Sequence, residues 1–160
     1  ASSDESHFAD AYSVALSYED DSLYLSAAMN KEVKNMDMLR FNGRYKFSSV
    51  TLGGMFQTAE PSKTAGAGSL DQEQSVVLSA MYDMDKWTLR GEVASVKEDW
   101  VGGGDDQTTL IGGGIDYNFT QSTKVFGNLA VGKLESTPAG GGNSADTDVT
   151  YLGGGIETRF

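Results

Sequence analysis

Residues 39–47 have the sequence LRFNGRYKF, in which apolar residues and glycine alternate with basic residues and asparagine. On an α-helix the apolar side chains would point in every direction, whereas on a β-strand they share one face. The stretch therefore predicts a β-strand with one apolar face and one polar face.

The same alternation recurs along the chain and predicts nine strands. Each of these segments is longer than the ~5–6 residues of a usual soluble strand, and a tilted membrane-spanning strand needs ~9–11 residues. The predicted strands are residues 8–20, 22–32, 36–47, 50–59, 74–84, 87–97, 107–119, 122–134 and 147–160.

The composition excludes several kinds of function. The chain of 160 residues has no Cys, which excludes disulfides, Cys-ligated zinc and a thiol nucleophile. Its one His, His7, argues against a His-based triad or a multi-His metal site. Twelve Lys and Arg against 23 Asp and Glu give a net charge of −11, which disfavours nucleic acid as a partner. We expect no enzyme activity, no cofactor and no metal.

The predicted connections alternate in length. Tight turns are expected at residues 20–22, 48–49, 83–86 and 120–121, and longer polar loops at 31–35, 60–72, 98–106 and 135–146. Short turns at one end of a sheet and long loops at the other are typical of an outer-membrane barrel. The mean hydropathy of −0.34 is compatible with such a wall, because alternation hides the apolar face from the average.

Aromatic residues gather on the apolar face near the tight turns or at the end of the sequence. Amphipathic rings favour a membrane interface, so we predict an aromatic girdle there. The alternative is a soluble β-sandwich with one buried face, whose aromatics would have no reason to collect at one end. The predicted girdle is Tyr18, Tyr45, Phe47, Tyr82, Trp87, Tyr117, Phe119 and Phe160.

Three stretches resemble the C-terminal part of a Gram-negative general porin. They are FADAYSVALSY at residues 8–18, DYNFT at 116–120 followed by VFG at 125–127, and the ending GGIETRF at 154–160. The ending is similar to the signal that the barrel-assembly machinery reads. That signal would comprise Gly155, Ile156 and Phe160, although Thr158 stands where an aromatic residue is more usual.

The resemblance implies an all-β fold, a transmembrane antiparallel up-and-down β-barrel, of which the nine strands form part of a sixteen-stranded porin barrel. An odd number of up-and-down strands cannot close antiparallel, and an open edge in lipid leaves backbone groups unpaired. We therefore expect residues 1–160 to be a single barrel segment holding strands eight to sixteen, with 1–7 the remainder of an extracellular loop.

The function implied by the resemblance is passive diffusion of ions and small hydrophilic solutes through a water-filled channel in the bacterial outer membrane. The implied partners are outer-membrane lipid and lipopolysaccharide, two further copies in a homotrimer, and the barrel-assembly machinery through the last strand. Two alternatives stay open: a small structural or adhesive barrel whose loops bind a ligand, and a barrel fragment captured with the assembly machinery.

The polar faces of the predicted strands supply the candidate pore-lining residues, because charges along a pore set ion preference. Arg40 and Arg44 are the foremost candidates for the basic wall cluster that general porins carry. In the alternative interpretation, these charges form ion pairs that fill a narrow barrel. The predicted pore-lining residues are Arg40, Asn42, Arg44, Lys46, Arg90, Glu92, Lys124 and Arg159.

Two further patterns carry weaker predictions. The glycine triplets at residues 102–104, 112–114, 140–142 and 153–155 lack the Gly-Lys-Ser/Thr of a phosphate loop. Within strands they allow close approach of another backbone or a subunit contact. A group of acidic residues is predicted to lie in solvated loops, with divalent-cation binding as the alternative. This group is Glu98, Asp99, Asp105, Asp106, Asp146 and Asp148.

Overall fold

The computed structural model describes residues 11–63, 69–140 and 143–159. These residues form nine β-strands, and the nine strands predicted from alternation are all confirmed. The strands are β1 (Tyr12–Glu19), β2 (Leu23–Val33), β3 (Met36–Phe47), β4 (Val50–Pro61), β5 (Leu70–Met84), β6 (Trp87–Trp100), β7 (Gly104–Asn118), β8 (Thr123–Pro138) and β9 (Ala145–Thr158).

The strands form one sheet in sequence order, each antiparallel to the next. Within the described ranges, β1 pairs with β2 alone and β9 with β8 alone, so the sheet is not closed. The fold is thus an up-and-down β-meander of the kind that forms part of a porin barrel, as the alternation and the resemblance predict.

The register divides the side chains into two faces, because directly paired residues point to the same side of a sheet. Phe41 pairs with Phe56, which pairs in turn with Val76, and this face carries most of the exposed large apolar side chains. Four of the described residues are buried, and all four lie on the other face. We call that face concave, since side chains converge and shield one another inside a curved sheet. The buried residues are Gln57, Ala59, Ser75 and Asp116.

The connections differ from the prediction at the end expected to carry long loops. Lys34 and Asn35 alone separate β2 from β3, and their φ values of 54° and 61° are those of a type I′ hairpin turn. The predicted loop at 98–106 is likewise wrong in extent, because only residues 101–103 separate β6 from β7. The two ends of the sheet therefore differ mainly because the strands continue as polar hairpins at this end, and less because the loops here are longer.

The six acidic residues predicted to lie in loops are on strands, which corrects that interpretation. Apolar and polar residues alternate only where one face of the strand would contact lipid. Beyond the lipid both faces are polar, so the alternation in the sequence ends before the strand does. The backbone ladder continues beyond that point because it depends on paired amides rather than on side-chain polarity. Glu98 and Asp99 belong to β6, Asp105 and Asp106 to β7, and Asp146 and Asp148 to β9.

At the opposite end, Asp20 organises the turn between β1 and β2. The amides of Ser22 and Leu23 each donate a hydrogen bond of 2.8 Å to Asp20 Oδ1. These bonds, with one from the Tyr18 hydroxyl, hold the pKa of Asp20 below its ordinary value. An Asx turn of this kind joins antiparallel strands over a short distance.

The sheet is a single layer in which most of the exposed large apolar side chains point away from the concave face. Leu16, Phe47 and Leu152 are among the many large apolar side chains that stand exposed on the convex face. No helix in the described ranges has the length and apolar character needed to span a bilayer.

Candidate functional site

The structure places all eight predicted pore-lining residues on the concave face. In β3, Arg40 pairs with Gln57 and Arg44 pairs with Gly53, which puts the basic residues of this strand on the same side as buried Gln57. In β6, Arg90 and Glu92 pair with Gly114 and Gly112 of β7. Lys124 pairs with Glu157 of β9, and Arg159 follows two residues later, directly after the end of β9.

An ion network crosses four strands at the end of the concave face near the short turns. Buried Asp116 on β7 accepts a hydrogen bond of 2.6 Å from Arg90 Nη2 on β6. Lys124 Nζ on β8 lies 3.5 Å from Asp116 Oδ2 and 3.1 Å from Glu157 Oε2. Arg159 Nε lies 3.0 Å from the other oxygen of Glu157. Three of the predicted pore-lining cations are thus held in one alternating chain of charges.

Gly114 makes this network possible. A Cβ at Gly114 would collide with the side-chain oxygen of Asn128 and would lie 3.3 Å from Arg90 Nη2. Arg90 also donates to Asn128 Oδ1 over 3.2 Å. The missing side chain therefore clears the path along which the Arg90 guanidinium reaches two acceptors on neighbouring strands.

A second set of polar contacts lies on β3. Arg40 Nε donates to Gln57 Oε1 over 2.7 Å, and Arg44 Nη2 lies 3.0 Å from Glu19 Oε1. The Arg44 guanidinium also lies over the ring of Tyr24, 5.6 Å from its centroid, as in a cation–π contact. Both predicted basic-wall arginines share one face of one strand, but they bind separate partners.

The interpretation from sequence missed a row of carboxylates on the same face. Glu73 of β5 pairs directly with Glu98 of β6, which pairs directly with Asp106 of β7. Glu73 accepts hydrogen bonds from Gln57 and Ser75, and Trp100 Nε1 donates to Asp106 over 3.2 Å. None of the three acidic side chains has an ion pair among the described residues. Alternation assigns each residue to a face, but only the register brings the three together.

The glycines within β7 and β9 mostly face side chains and backbone of this chain. A Cβ at Gly155 would lie 2.9 Å from the ring of Phe126, and one at Gly154 would lie 3.1 Å from the Phe126 carbonyl oxygen. Gly153 has nothing within 4 Å. Close approach of neighbouring groups is thus observed at two of the three positions.

The predicted girdle residues that the structure describes lie on the convex face near the short turns. Trp87 and Tyr117 are paired residues whose ring centroids are 4.6 Å apart, and Phe119 meets Tyr117 edge-on at 4.8 Å. Tyr45 pairs with Leu52 and Phe47 pairs with Val50, both beside the short turn between β3 and β4. Tyr18 and Tyr82 occupy the same face.

The candidate assembly signal is divided between the two faces. Gly155 pairs with Phe126 on the concave face, and Ile156 pairs with Val125 on the convex face, where it is exposed. Phe160, which belongs to both the predicted girdle and the predicted signal, lies outside the described residues. Among those that are described, no three His, Asp or Glu side chains converge in a way that would hold a metal ion.

Comparison with known proteins gives one family and two similar structures. The family whose sequence model matches residues 1–137 is described as Gram-negative porin. OmpT of Vibrio cholerae, an outer membrane protein folded in vitro and determined in a trimer form, aligns with a TM-score of 0.70 and 17% identity over 91% of this chain. A porin structure refined at 1.8 Å resolution aligns with a TM-score of 0.62 and 13% identity over 94% of this chain.

The chain spans 54% of the first of these structures and 62% of the second. At these identities the structural likeness establishes the fold alone. A comparison with curated proteins finds no significant match.

Proposed function

The chain belongs to the Gram-negative porin family, and on that premise we propose that its concave face lines a water-filled channel for passive diffusion of ions and small hydrophilic solutes. Its location is the bacterial outer membrane. The nine strands would form one part of the wall of a sixteen-stranded barrel, in keeping with the share of the two similar structures that the chain spans.

One observation carries the proposal: the two faces of a single-layer sheet have opposite chemistry. The exposed convex side chains are mostly apolar, as at Leu16, Phe56 and Leu89, and lipid would cover them. The concave face carries Arg40, Arg90 and most of the other charged groups near mid-strand. Water on that side would solvate these groups, which are costly to place in hydrocarbon.

The channel would select by size and by charge, without covalent chemistry. A barrel of about sixteen strands leaves an aqueous lumen, whereas one of about eight is filled by its own side chains. The charges on the concave wall would bias the ions that pass. Arg90, Lys124 and Arg159 share the carboxylates of Asp116 and Glu157, which offset two of their three charges, so Arg40 and Lys46 would contribute most of the remaining basic field.

The proposed partners follow from the same placement. Lipid and lipopolysaccharide would contact the convex face, with the aromatic girdle at the interface near the short turns. A homotrimer is proposed by analogy with OmpT of Vibrio cholerae, which was determined in a trimer form. The barrel-assembly machinery would contact the last strand through Ile156 and Phe160.

Conductance in planar bilayers tests this function. The full-length protein is refolded in detergent and added to a bilayer in 1 M KCl, a salt concentration at which surface charges are screened over ~3 Å. It should give stepwise, ohmic openings. A correctly folded protein that gives no openings would contradict the channel and would favour a structural or adhesive barrel.

A further inference from the structure

A row of apolar residues crosses the concave face, where a water-filled channel predicts polar ones. Six residues on β4 to β9 pair in an unbroken register, and we call them the inner stripe. At about 4.8 Å between strands, the inner stripe extends over about 24 Å of wall. Its members are Met55, Val77, Ala94, Leu110, Gly132 and Val149.

The inner stripe is broadened by apolar neighbours that the chain leaves uncovered. Leu134, in the adjacent row, is 41% exposed, and Tyr151, in the row on the other side, is 59% exposed. Val149 of the stripe itself is 39% exposed. An exposed apolar patch of this extent, surrounded by polar groups, is the mark of an interaction surface.

Residues with small or no side chains form a depression in the concave face beside the inner stripe. Gly112, Ala130 and Ser79 line this depression of about 520 Å³. The depression also touches Leu110 and Glu92, and the arginines Arg44 and Arg90 lie at its edge. Ligand cavities of small molecules have volumes of ~300–1,000 Å³. The depression is therefore large enough to hold the body of a small organic solute against the stripe.

Carboxylates flank the inner stripe on both sides along β6. Glu92 lies two residues before Ala94 on the same face, it is exposed, and it has no ion pair in the part of the chain that the structure describes. Beyond the stripe, Glu98 stands in the carboxylate row with Glu73 and Asp106. The two ends, Glu92 and Glu98, are about 20 Å apart along the strand.

The neighbouring arginines are bound to carboxylates other than those that flank the stripe. Arg90 is bound to Asp116, which it shares with Lys124. Arg44 is bound to Glu19. Arg40 lies on β3, beyond the Met55 end of the inner stripe, and donates to Gln57. The surface around the stripe thus combines an apolar track with carboxylates that form no ion pair among the described residues.

We propose that this surface binds organic cations that carry an apolar body, such as alkylammonium ions, as they pass through the channel. The ammonium would lie near Glu92 or near the carboxylate row, and the alkyl chain would lie on the inner stripe. The proposal rests on the channel function proposed above, and it names the class of solute that the wall favours.

Block of single-channel current tests the proposal, with hexyltrimethylammonium as the probe and two matched ions as references. Tetramethylammonium has the charge without the alkyl chain, and hexanoate has the chain with the opposite charge. We expect hexyltrimethylammonium to reduce the KCl current at a concentration at least about tenfold lower than either reference, as about 1.4 kcal/mol of added affinity requires.

Two variants divide the contributions of the stripe and of the carboxylate. Leu110→Thr removes apolar surface and Glu92→Gln removes charge, and each should raise the half-blocking concentration about threefold. Ile111→Thr is the matched control, because Ile111 adjoins Leu110 but lies on the convex face. It should leave the block unchanged, and a heat-modifiability gel verifies the folding of every variant.

The outcomes separate this proposal from the channel function. Openings in KCl with equal block by hexyltrimethylammonium and tetramethylammonium would overturn the proposal while leaving the channel intact. The same holds if Leu110→Thr and Glu92→Gln leave the block unaltered, as expected if another protein segment covers the stripe. Absence of openings would contradict the channel function, and this proposal with it.

Discussion

Arg90 reaches Asp116 across the bare backbone of Gly114, and the resulting bond of 2.6 Å joins β6 to β7 on the concave face. Lys124 and Glu157 extend this contact to β8 and β9. The charges at this end of the wall are therefore a connected set whose geometry depends on a residue with no side chain. This relationship gives the first two predictions.

Gly114→Ala should destabilise the barrel by about 1–3 kcal/mol, because the new methyl group collides with Asn128 and crowds Arg90. Gly153→Ala is the matched control, because Gly153 of β9 also lies on the concave face but a Cβ there would have nothing within 4 Å. Its effect on the free energy of unfolding should stay within about 0.5 kcal/mol. Urea unfolding in lipid vesicles measures both. Equal stability of the two variants would show that the space above Gly114 is not needed.

Asp116→Asn should shift ion preference toward anions, because it removes the one carboxylate that Arg90 and Lys124 share. We expect the chloride-to-potassium permeability ratio to rise about twofold, the size of effect that a partly screened charge produces. The measurement is the reversal potential in a KCl gradient.

Glu135→Gln is the control for that experiment. Glu135 also pairs with a lysine, Lys133, at 2.7 Å, but it lies on the convex face. Its removal should leave the reversal potential where it is. A shift of similar size in both variants would mean that ion preference does not depend on which face carries the charge.

The two tryptophans provide a test of the membrane boundary. Trp87 lies on the convex face in the aromatic group near the short turns, whereas Trp100 lies on the concave face at the other end of β6 and donates to Asp106. In the Trp100→Phe variant, which retains Trp87, the fluorescence that Trp87 contributes should be quenched by brominated lipids. In the Trp87→Phe variant, the fluorescence that Trp100 contributes should instead be quenched by aqueous acrylamide, a neutral quencher that the carboxylate of Asp106 does not repel. The reverse assignment would contradict the placement of the girdle.

The sequence predicts the strands well because period-two alternation follows directly from a wall with two different solvents. It does not predict where the strands end, as at Trp100 and Gly104, since polar residues beyond the lipid continue the backbone ladder without an apolar signal. Nor does it predict partners: Arg90 with Asp116 and Glu73 with Glu98 depend on the register between strands.

The inner stripe and its neighbour Tyr151 correspond to pairs of adjacent apolar residues in the sequence, which a strict period-two pattern does not explain. Adjacent apolar residues interrupt the period-two pattern at residues 76–77, 110–111 and 151–152, and one member of each pair must face inward. The structure places Val77, Leu110 and Tyr151 on the concave face. Two adjacent apolar residues in a strand thus mark a position where the concave face carries an apolar side chain instead of a polar one.

Cysteine substitution along β3 tests most directly whether the concave face lines an aqueous channel. Residues 1–160 contain no native Cys, so each variant introduces the single thiol of this part of the wall. The protein without any of these substitutions, treated with the same reagent, is the control. A charged, membrane-impermeant thiosulfonate, applied to the protein in bilayers, should label Arg40→Cys, Asn42→Cys and Arg44→Cys and change their single-channel current. The neighbours Phe41→Cys and Tyr45→Cys should stay unlabelled because lipid covers them. Labelling that ignores this alternation, or that favours residues 41 and 45, would contradict the account.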